Sequence, residues 1–350
     1  MWRAFPNNEN TKLWVSTRSS LKAAFSLYNP YSKNGKLFKS TINLLPTFVG
    51  NFFLKPTQST EQTTIFEKYK KYIDNILKID STINISPGTN SKHQKTTVQI
   101  IVSKTTKFFL KVSDNPITIQ LSGNEYNILK FINTKELTIK IPNAIYGGMV
   151  ESSYFLIQTA APIDQFKQSG TKFTYSHCIA IIDLFNVCPK TITLSEYTTK
   201  IVSSISTQLD EDNKVFEYLH KITDDNSDIS IVTSLCHGDF SPWNILINDT
   251  DTLFIFDWEH GNTETPLLFD FFHFHYMTTK LLTQTSAIDT NNYLNDLFFN
   301  SEYKLIFEHM NININTFILY KSLYLIHISL REISENNHAS SFSMEILKLQ

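Results

Sequence analysis

A polar stretch followed by two short apolar runs constrains the fold of this chain more than any other feature of the sequence. The stretch HGDFSPWNIL spans residues 237–246, and it leads through the turn NDTDT into the run LFIFDWEHG. Two apolar runs on either side of a turn of Asn, Asp and Thr predict a β-hairpin. Since both faces of this hairpin are apolar, we expect it to be buried with only its open end polar.

The register of the hairpin decides what its polar end can do. If Ile247 pairs with Phe254, then Asn244 faces Asp257 across the ladder. Directly opposed side chains lie roughly 5 Å apart at Cβ, so an amide oxygen and a carboxylate could share one hard cation such as Mg²⁺. A slip of one residue would point the two side chains to opposite faces. The predicted metal site therefore depends on this register.

Asp239 lies in the loop that precedes the hairpin, five residues before Asn244. In that place a carboxylate could accept a hydroxyl proton or orient an alcohol for attack on a phosphoryl group. His-x-Asp, four residues and Asn, and then an Asp after a hairpin form the catalytic arrangement of protein kinases. The same residues also allow a simpler interpretation, a polar hairpin entrance with capping Asp and Asn side chains.

The two-part motif HGDFSPWNIL…FIFDWEHG resembles the aminoglycoside phosphotransferase and choline kinase-like family, small-molecule kinases of the protein-kinase-like fold. The resemblance is close over residues 237–275 and looser over 95–275. It implies that Asp239 is the catalytic base. It further implies that Asn244 and Asp257 bind Mg²⁺ and that His237 is a scaffold residue of the catalytic loop that bonds backbone.

The resemblance also implies the reaction and the architecture. The reaction is transfer of the γ-phosphate of ATP or GTP to a hydroxyl of a small molecule, such as a sugar, an amino alcohol or an aminoglycoside. The expected architecture is α+β and two-lobed, with a small β-rich N-lobe and a larger, mainly helical C-lobe. We expect an irregular extension over residues 1–62, a nucleotide-binding N-lobe over 63–162, and a C-lobe with the catalytic loop and metal site over 163–350.

The N-lobe pattern predicts an amphipathic helix over 63–79, a hairpin formed by TTVQIIV and KFFLKV, a short helix over 122–132, and a strand at SSYFLIQTAAP. Lys111 lies on a predicted strand and Glu125 on the helix that follows. They resemble the Lys–Glu pair with which the family binds nucleotide phosphates. An alternative remains open, because Ser122 and Glu125 also form an S-x-x-E capping box.

Two other parts of the N-lobe would meet the nucleotide. The strand YFLIQTAAP resembles the one that leads into the hinge, where the backbone of Gln158 and Ala160 would meet the purine edge. The phosphate-binding loop departs from the family pattern, because no GxGxxG is present and Gly88 is the only glycine in the right place.

In the C-lobe, Thr265 and Pro266 are typical of an N-cap and the first residue of a helix. That helix would carry His273 and His275, whose i, i+2 spacing points them to different faces, so we expect packing roles and not metal binding. Asp270, on the same helix, matches an Asp often found in the family, and we expect it to be structural.

Composition and charge exclude several partner classes. The formal net charge is -2, which gives no electrostatic case for nucleic acid or an anionic membrane. No run approaches the ~18 apolar residues of a membrane span. The chain has 3 cysteines without CxxC spacing, which indicates reduced thiols and a cytoplasmic protein. We therefore expect a small hydroxylated acceptor as the partner, and the sequence does not indicate the oligomeric state.

Two alternatives come from other functional classes. A pseudokinase would keep the fold and bind nucleotide without turnover, as the sparse glycine loop allows. A metal-dependent phosphoesterase would use His237, Asp239, Asp257 and His260 as metal ligands.

Overall fold

The chain divides into two compact units in a computed structural model. One unit comprises Met1–Asn133 and Pro142–Phe166, and the other comprises Thr134–Ile141 and Lys167–Gln350. The structure describes residues 2–6, 11–27, 54–56, 60–88, 91–162, 165–205, 214–224, 229–336 and 342–349.

Over its described residues, the first unit contains an eight-stranded sheet with three helices. In chain order its elements are β1 (Trp2–Phe5), β2 (Leu13–Ser16), α1 (Leu21–Phe25), β3 (Lys55–Pro56), α2 (Thr60–Leu77), β4 (Thr82–Ser86), β5 (Thr96–Val102), β6 (Thr105–Ser113), α3 (Pro116–Ile132), β7 (Ala144–Val150) and β8 (Ser153–Thr159). The strand order is β3-β1-β2-β4-β5-β6-β8-β7. The strand pairs β1–β2, β2–β4, β4–β5, β5–β6, β6–β8 and β7–β8 are all antiparallel.

The region expected to be an irregular extension, 1–62, contributes strands to this sheet where the structure describes it. Alternate residues of β1 and β2 are buried, and Trp2 packs edge-on against Phe66 at 5.1 Å between ring centroids. The prediction differs because strands of four residues are too short to show an alternating pattern among Asn, Ser and Thr. The first strands therefore belong to the core of the first unit.

The predicted hairpin of TTVQIIV and KFFLKV is confirmed as β5 and β6. The predicted short helix is present as α3 but begins at Pro116, because Asn115 caps it by accepting a hydrogen bond from the Thr118 N–H at 3.0 Å. Ser122 then lies inside the helix, with its Oγ 2.7 Å from that of Ser113. The structure therefore excludes the capping box as an explanation for Glu125.

The second unit is mainly helical. Its elements are β9 (Phe166–Gln168), α4 (Tyr175–Val187), β10 (Lys190–Thr193), α5 (Leu194–Ile205), α6 (Lys214–Asp224), β11 (Ser230–Cys236), β12 (Ile245–Asn248), β13 (Leu253–Ile255), β14 (Asn262–Pro266), α7 (Phe269–Met277), α8 (Ala287–Asp296), α9 (Lys304–His309), α10 (Ile314–Asn336) and α11 (Phe342–Leu347). The strands form two three-stranded sheets, β10-β11-β14 and β13-β12-β9. Within the described ranges, no helix has the length and apolar character to cross a membrane.

The segment predicted to begin a helix ends a strand instead. Thr265 pairs with Ser234 and Pro266 with Thr233, so both belong to β14. The helix α7 begins three residues later, after Leu268 in the left-handed region at φ 63°. A proline is compatible with this place because the end of an edge strand does not require its N–H. The first eight residues of α7 are all buried, which makes it the central helix of the unit.

Candidate catalytic site

The hairpin of the motif is present, but its register is one residue away from the predicted one. Leu246 pairs with Phe254, where the prediction paired Ile247 with Phe254. Asn244 and Asp257 are therefore not opposed in the ladder, and the predicted register was wrong. Any relation between the two side chains must come from the backbone at the open end of the hairpin.

Both residues lie beyond the regular ladder, where strand alternation no longer applies. Asn244 ends a 3-10 turn that begins at Pro242. Asp257 has φ 73°, in the left-handed region that costs a non-glycine residue roughly 1–2 kcal/mol. Phe256, the residue before it, donates its N–H to the backbone oxygen of Asn244 at 3.1 Å. Asn244 and Asp257 thus lie at the same open end of the hairpin, although they are not ladder partners.

The backbone of the loop before the hairpin is bound by two side chains from distant parts of the chain. The carboxylate of Asp270 accepts the N–H groups of His237 at 2.6 Å and Gly238 at 2.9 Å. Arg331 donates from Nη1 to the Gly238 oxygen at 2.8 Å. Gly238 has φ 79°, and a Cβ there would lie 2.1 Å from the backbone oxygen of His260. Only glycine fits this position, and the loop conformation is fixed by contacts to distant parts of the chain.

His237 bonds backbone through both ring nitrogens. Its Nδ1 accepts the N–H of Asp239 at 3.2 Å, which leaves the proton on Nε2 for donation to the Phe256 oxygen at 2.9 Å. The ring is fully buried, and burial lowers its pKa to about 4. His237 is therefore a neutral scaffold. Neither nitrogen remains to bind a metal, which removes one of the ligands that a phosphoesterase would require.

The carboxylate of Asp239 accepts three side-chain hydrogen bonds. Oδ1 is 2.9 Å from Nε2 of His273 and 2.9 Å from Oγ of Ser241, and Oδ2 is 2.9 Å from Nδ2 of Asn244. Burial raises the pKa of Asp239, but the hydrogen bond from His273, together with charge interactions that include that of Arg331, lowers it by more than burial raises it. The carboxyl is consequently ionised at neutral pH, and its side chain retains 20% exposure.

The amide of Asn244 is oriented by the same loop. Its Nδ2 donates to both the backbone oxygen of Asp239 at 3.0 Å and the carboxylate at 2.9 Å. Two acceptors around one end of an amide identify that end as the nitrogen. No hydrogen bond between described residues uses Oδ1 of Asn244. An amide oxygen here and the carboxylate of Asp257 are the hard oxygen ligands that fit Mg²⁺.

In the first unit, Lys111 and Glu125 form an ion pair. Nζ of Lys111, on β6, lies 2.8 and 2.6 Å from the two carboxylate oxygens of Glu125, on α3. The Glu125 side chain is 0% exposed and that of Lys111 is 14% exposed. A carboxylate at this depth requires a cation or several donors, so the pair fixes the position of the lysine ammonium.

The structure gives less support to the predicted contacts of Gln158 and Ala160 with a purine. Gln158 lies in β8 between two strands, where it pairs with Phe109 on one side and Ala144 on the other. The N–H of Ala160 donates to the Lys107 oxygen at 2.9 Å. That N–H is already bonded within the first unit, and the predicted contact of the Ala160 backbone with nucleotide stays a prediction. The contact of Gln158 with nucleotide stays a prediction.

The loop expected to bind phosphate joins β4 to β5. Gly88 has φ 73°, and a Cβ at this position would lie 2.4 Å from the backbone oxygen of Lys95, so glycine is required. Residues 89–90 of this loop lie outside the described residues. The loop contact with phosphate also stays a prediction.

Sequence reasoning missed two side chains of the site. His273 was expected to pack, and it bonds Asp239 from 34 residues away. Arg331 bonds the loop from 93 residues away. For Arg331 a signal existed, because it is one of only three arginines in the chain. For His273 the spacing along α7 carried no indication of what the ring would meet.

No known family's sequence profile matches this chain, and no curated protein matches it either. The structure is similar to the choline kinase LicA from Streptococcus pneumoniae, with a TM-score of 0.53 and 13% identity, over 82% of this chain and 97% of that one. It is also similar to APH(2")-IIia, solved with GDP and kanamycin, with a TM-score of 0.49 and 12% identity over 81% and 97% of the two chains. The likeness to LicA shows that this chain has the α+β, protein-kinase-like fold that its motif predicts.

Proposed function

We propose that this protein is a phosphotransferase that moves the γ-phosphate of ATP or GTP to a hydroxyl of a small molecule. The observation that carries the proposal is the hydrogen bond from Nδ2 of Asn244 to Oδ2 of Asp239. One contact orients both a carboxylate that can bind a hydroxyl and an amide oxygen that can bind a cation. Phosphoryl transfer requires these two groups in a fixed relation, because its catalysis is mainly positioning and charge neutralisation.

Asp239 is the proposed base. It accepts a hydrogen bond from the acceptor hydroxyl and aims the hydroxyl oxygen at the γ-phosphorus. A bond forms between that oxygen and phosphorus, the bond to the bridging oxygen of the nucleotide breaks, and the nucleoside diphosphate leaves. The hydroxyl proton passes to Asp239. Since His273 keeps the pKa of Asp239 low, the carboxylate is a weak base, and orientation is its larger contribution.

Asn244 and Asp257 are the proposed Mg²⁺ ligands. The ion, when bound, would supply neutralisation of the charge on the nucleotide phosphates. The strained backbone at Asp257, φ 73°, supports a functional role because strain of this kind persists mainly where function requires it. In the first unit, Lys111 is the proposed cation for the nucleotide phosphates, and Glu125 orients it.

The two alternatives predict different outcomes. A pseudokinase would bind nucleotide with Mg²⁺ and transfer nothing. A phosphoesterase would release phosphate from a phosphoester without nucleotide, but the occupied nitrogens of His237 speak against it.

The test measures binding of ATP and GTP by calorimetry, with and without Mg²⁺, in the wild type and in Asp257→Ala. The matched control is Asp249→Ala, an exposed carboxylate in the turn of the same hairpin. We expect Mg²⁺-dependent binding in the wild type and the control and its loss in Asp257→Ala.

Nucleotide consumption is then measured with choline, kanamycin and a set of simple sugars as acceptors. We expect at least one hydroxylated molecule to accept phosphate. Failure of the wild type to bind either nucleotide would contradict the proposed function, and binding without transfer to any acceptor would favour the pseudokinase.

A further inference from the structure

We infer that His273 is a positioning residue that determines which oxygen of Asp239 meets the acceptor hydroxyl. This inference rests on the proposed function, because it assigns a purpose to a contact of the proposed base. His273 lies on α7, is 0% exposed, and places Nε2 at 2.9 Å from Oδ1 of Asp239.

The direction of that hydrogen bond is set by a second contact. The hydroxyl of Tyr324, on α10, lies 3.3 Å from Nδ1 of His273. An ionised carboxylate can only accept, so Nε2 must carry the proton, and Nδ1 then accepts from the tyrosine. Burial, aided by the nearby charge of Arg331, lowers the pKa of His273 in spite of the opposing effect of Asp239, which agrees with a neutral ring. Tyr324, His273 and Asp239 thus form one directed chain of hydrogen bonds.

This chain leaves the two oxygens of Asp239 unequal. Oδ1 accepts from both His273 and Ser241, which uses its two lone-pair directions. Oδ2 accepts from Asn244 alone among the described residues, so one direction remains for a ligand. The acceptor hydroxyl is therefore bound at Oδ2, beside the amide proposed to bind the metal. Without His273, the carboxylate could rotate and present either oxygen.

The same helix supplies a matched control. His275, two residues further on, is 2% exposed, and its Nδ1 lies 2.8 Å from the hydroxyl of Tyr293. Like His273, it is a buried imidazole bonded to a tyrosine. Its hydrogen bond lies away from Asp239, so a purely structural role for a buried histidine on α7 predicts equal effects at the two positions.

The kinetic test compares His273→Phe, His273→Gln and His275→Phe with the acceptor that the wild type phosphorylates fastest. We expect His273→Phe to lower kcat about 10- to 100-fold, because small displacements of a reacting group are costly, with the nucleotide KM changed less than about twofold. Gln places an N–H donor close to the position of Nε2, so His273→Gln should recover kcat to within about fivefold. His275→Phe should keep the wild-type kcat.

A second readout does not depend on turnover. Nitrogen-15 NMR of the histidine rings should show His273 in the Nε2–H tautomer, with that proton protected from solvent exchange. Tyr324→Phe removes one oxygen and should make this proton exchange faster while the fold is kept. An Nδ1–H tautomer, or a Tyr324→Phe spectrum identical to that of the wild type, would overturn the hydrogen-bond chain.

The outcomes separate the two claims. If the wild type transfers phosphate and His273→Phe has the same kcat, or loses no more than His275→Phe, this inference is wrong and the proposed function stands. If His273→Phe does not fold, the recovery by His273→Gln and the NMR tautomer decide the question. If the wild type transfers no phosphate, the proposed function fails and this inference fails with it.

Discussion

The two units place their functional side chains in different ways. In the first unit, Lys111 forms an ion pair with the buried carboxylate of Glu125. In the second unit, Asp239 is positioned by hydrogen bonds from three side chains, and the backbone of its loop is bound by Asp270 and Arg331. Substitution of one member of an ion pair should act mainly on the position of its partner side chain. A site built on a network should respond at several positions, with losses of stability and of activity together.

The units also differ in their number of histidines. The first unit contains one histidine, His93, whereas the second contains the remaining nine. Burial lowers the pKa of His177 to about 4 and that of His275 to about 3. These rings are packed as neutral groups among aromatic side chains, with Phe173 stacked on His275 at 5.1 Å between ring centroids.

The largest expected effect is acid destabilisation of the second unit. Since the folded-state pKa values of His177 and His275 are lowered, the unfolded chain binds protons below about pH 6.5 and the folded chain does not. Stability should therefore fall as pH drops from about 6.5 towards 4, by about 4 kcal/mol at pH 5 for the two rings together. Hydrogen exchange by mass spectrometry, corrected for intrinsic rates, measures this for each unit. Equal destabilisation of both units by acid would contradict the expected difference between them.

The second largest expected effect is the decrease in the free energy of unfolding caused by Asp270→Ala, measured in urea. This change leaves the buried N–H groups of His237 and Gly238 without their acceptor, and we expect a loss of about 3 kcal/mol together with loss of transfer. Asp289→Ala is the control, because Asp289 is an exposed residue in the first turn of α8. A loss no greater than that of the control would show that the network does not hold the loop.

The smallest effect is expected in the first unit, from Glu125→Gln. Lys111 retains some exposure, so its ammonium can be rehydrated after the substitution. We therefore expect the free energy of unfolding to fall by only about 1 kcal/mol. Nucleotide affinity should fall about tenfold because the ammonium is no longer oriented. Glu151→Gln, in the exposed pair with Lys68, is the control and should change neither quantity. A larger loss of stability for Glu125→Gln than for Asp270→Ala would reverse the comparison.

The parts of this structure that were predictable from sequence are those governed by local pattern. The strands β5 and β6 and the hairpin of the motif follow from β-branched runs on either side of polar turns. The long α3 was predicted short, although Asn115 followed by Pro116 is a recognisable helix start. At Thr265 and Pro266 a similar helix-start pattern was misleading, because strand pairing with β11 outweighed the local preference for beginning a helix.

The parts that were not predictable depend on contacts between distant residues. The hairpin register was missed by one residue, since it is set by the three-residue turn 249–251, in which Asp251 is left-handed at φ 58° and the N–H of Asn248 donates to the Thr252 oxygen. No periodicity encodes such a backbone detail. The contacts of His273 with Asp239 and of Arg331 with Gly238 arise only when α7 and α10 pack beside the loop that precedes the hairpin. The sequence therefore indicated the residues that we propose to react, and the structure was needed to find the side chains that bind them.

The most direct test of the central claim is Asp239→Asn, measured for both phosphate transfer and nucleotide binding. An amide has nearly the shape of the carboxylate, but its nitrogen can neither accept the hydrogen bond by which the carboxylate orients the acceptor hydroxyl nor take up the hydroxyl proton, and a positioned general base contributes about 10²–10⁴-fold. We predict that transfer to the acceptor falls at least about 100-fold while the dissociation constant for Mg²⁺-nucleotide changes less than about threefold. Transfer by Asp239→Asn at a rate near that of the wild type would contradict the account.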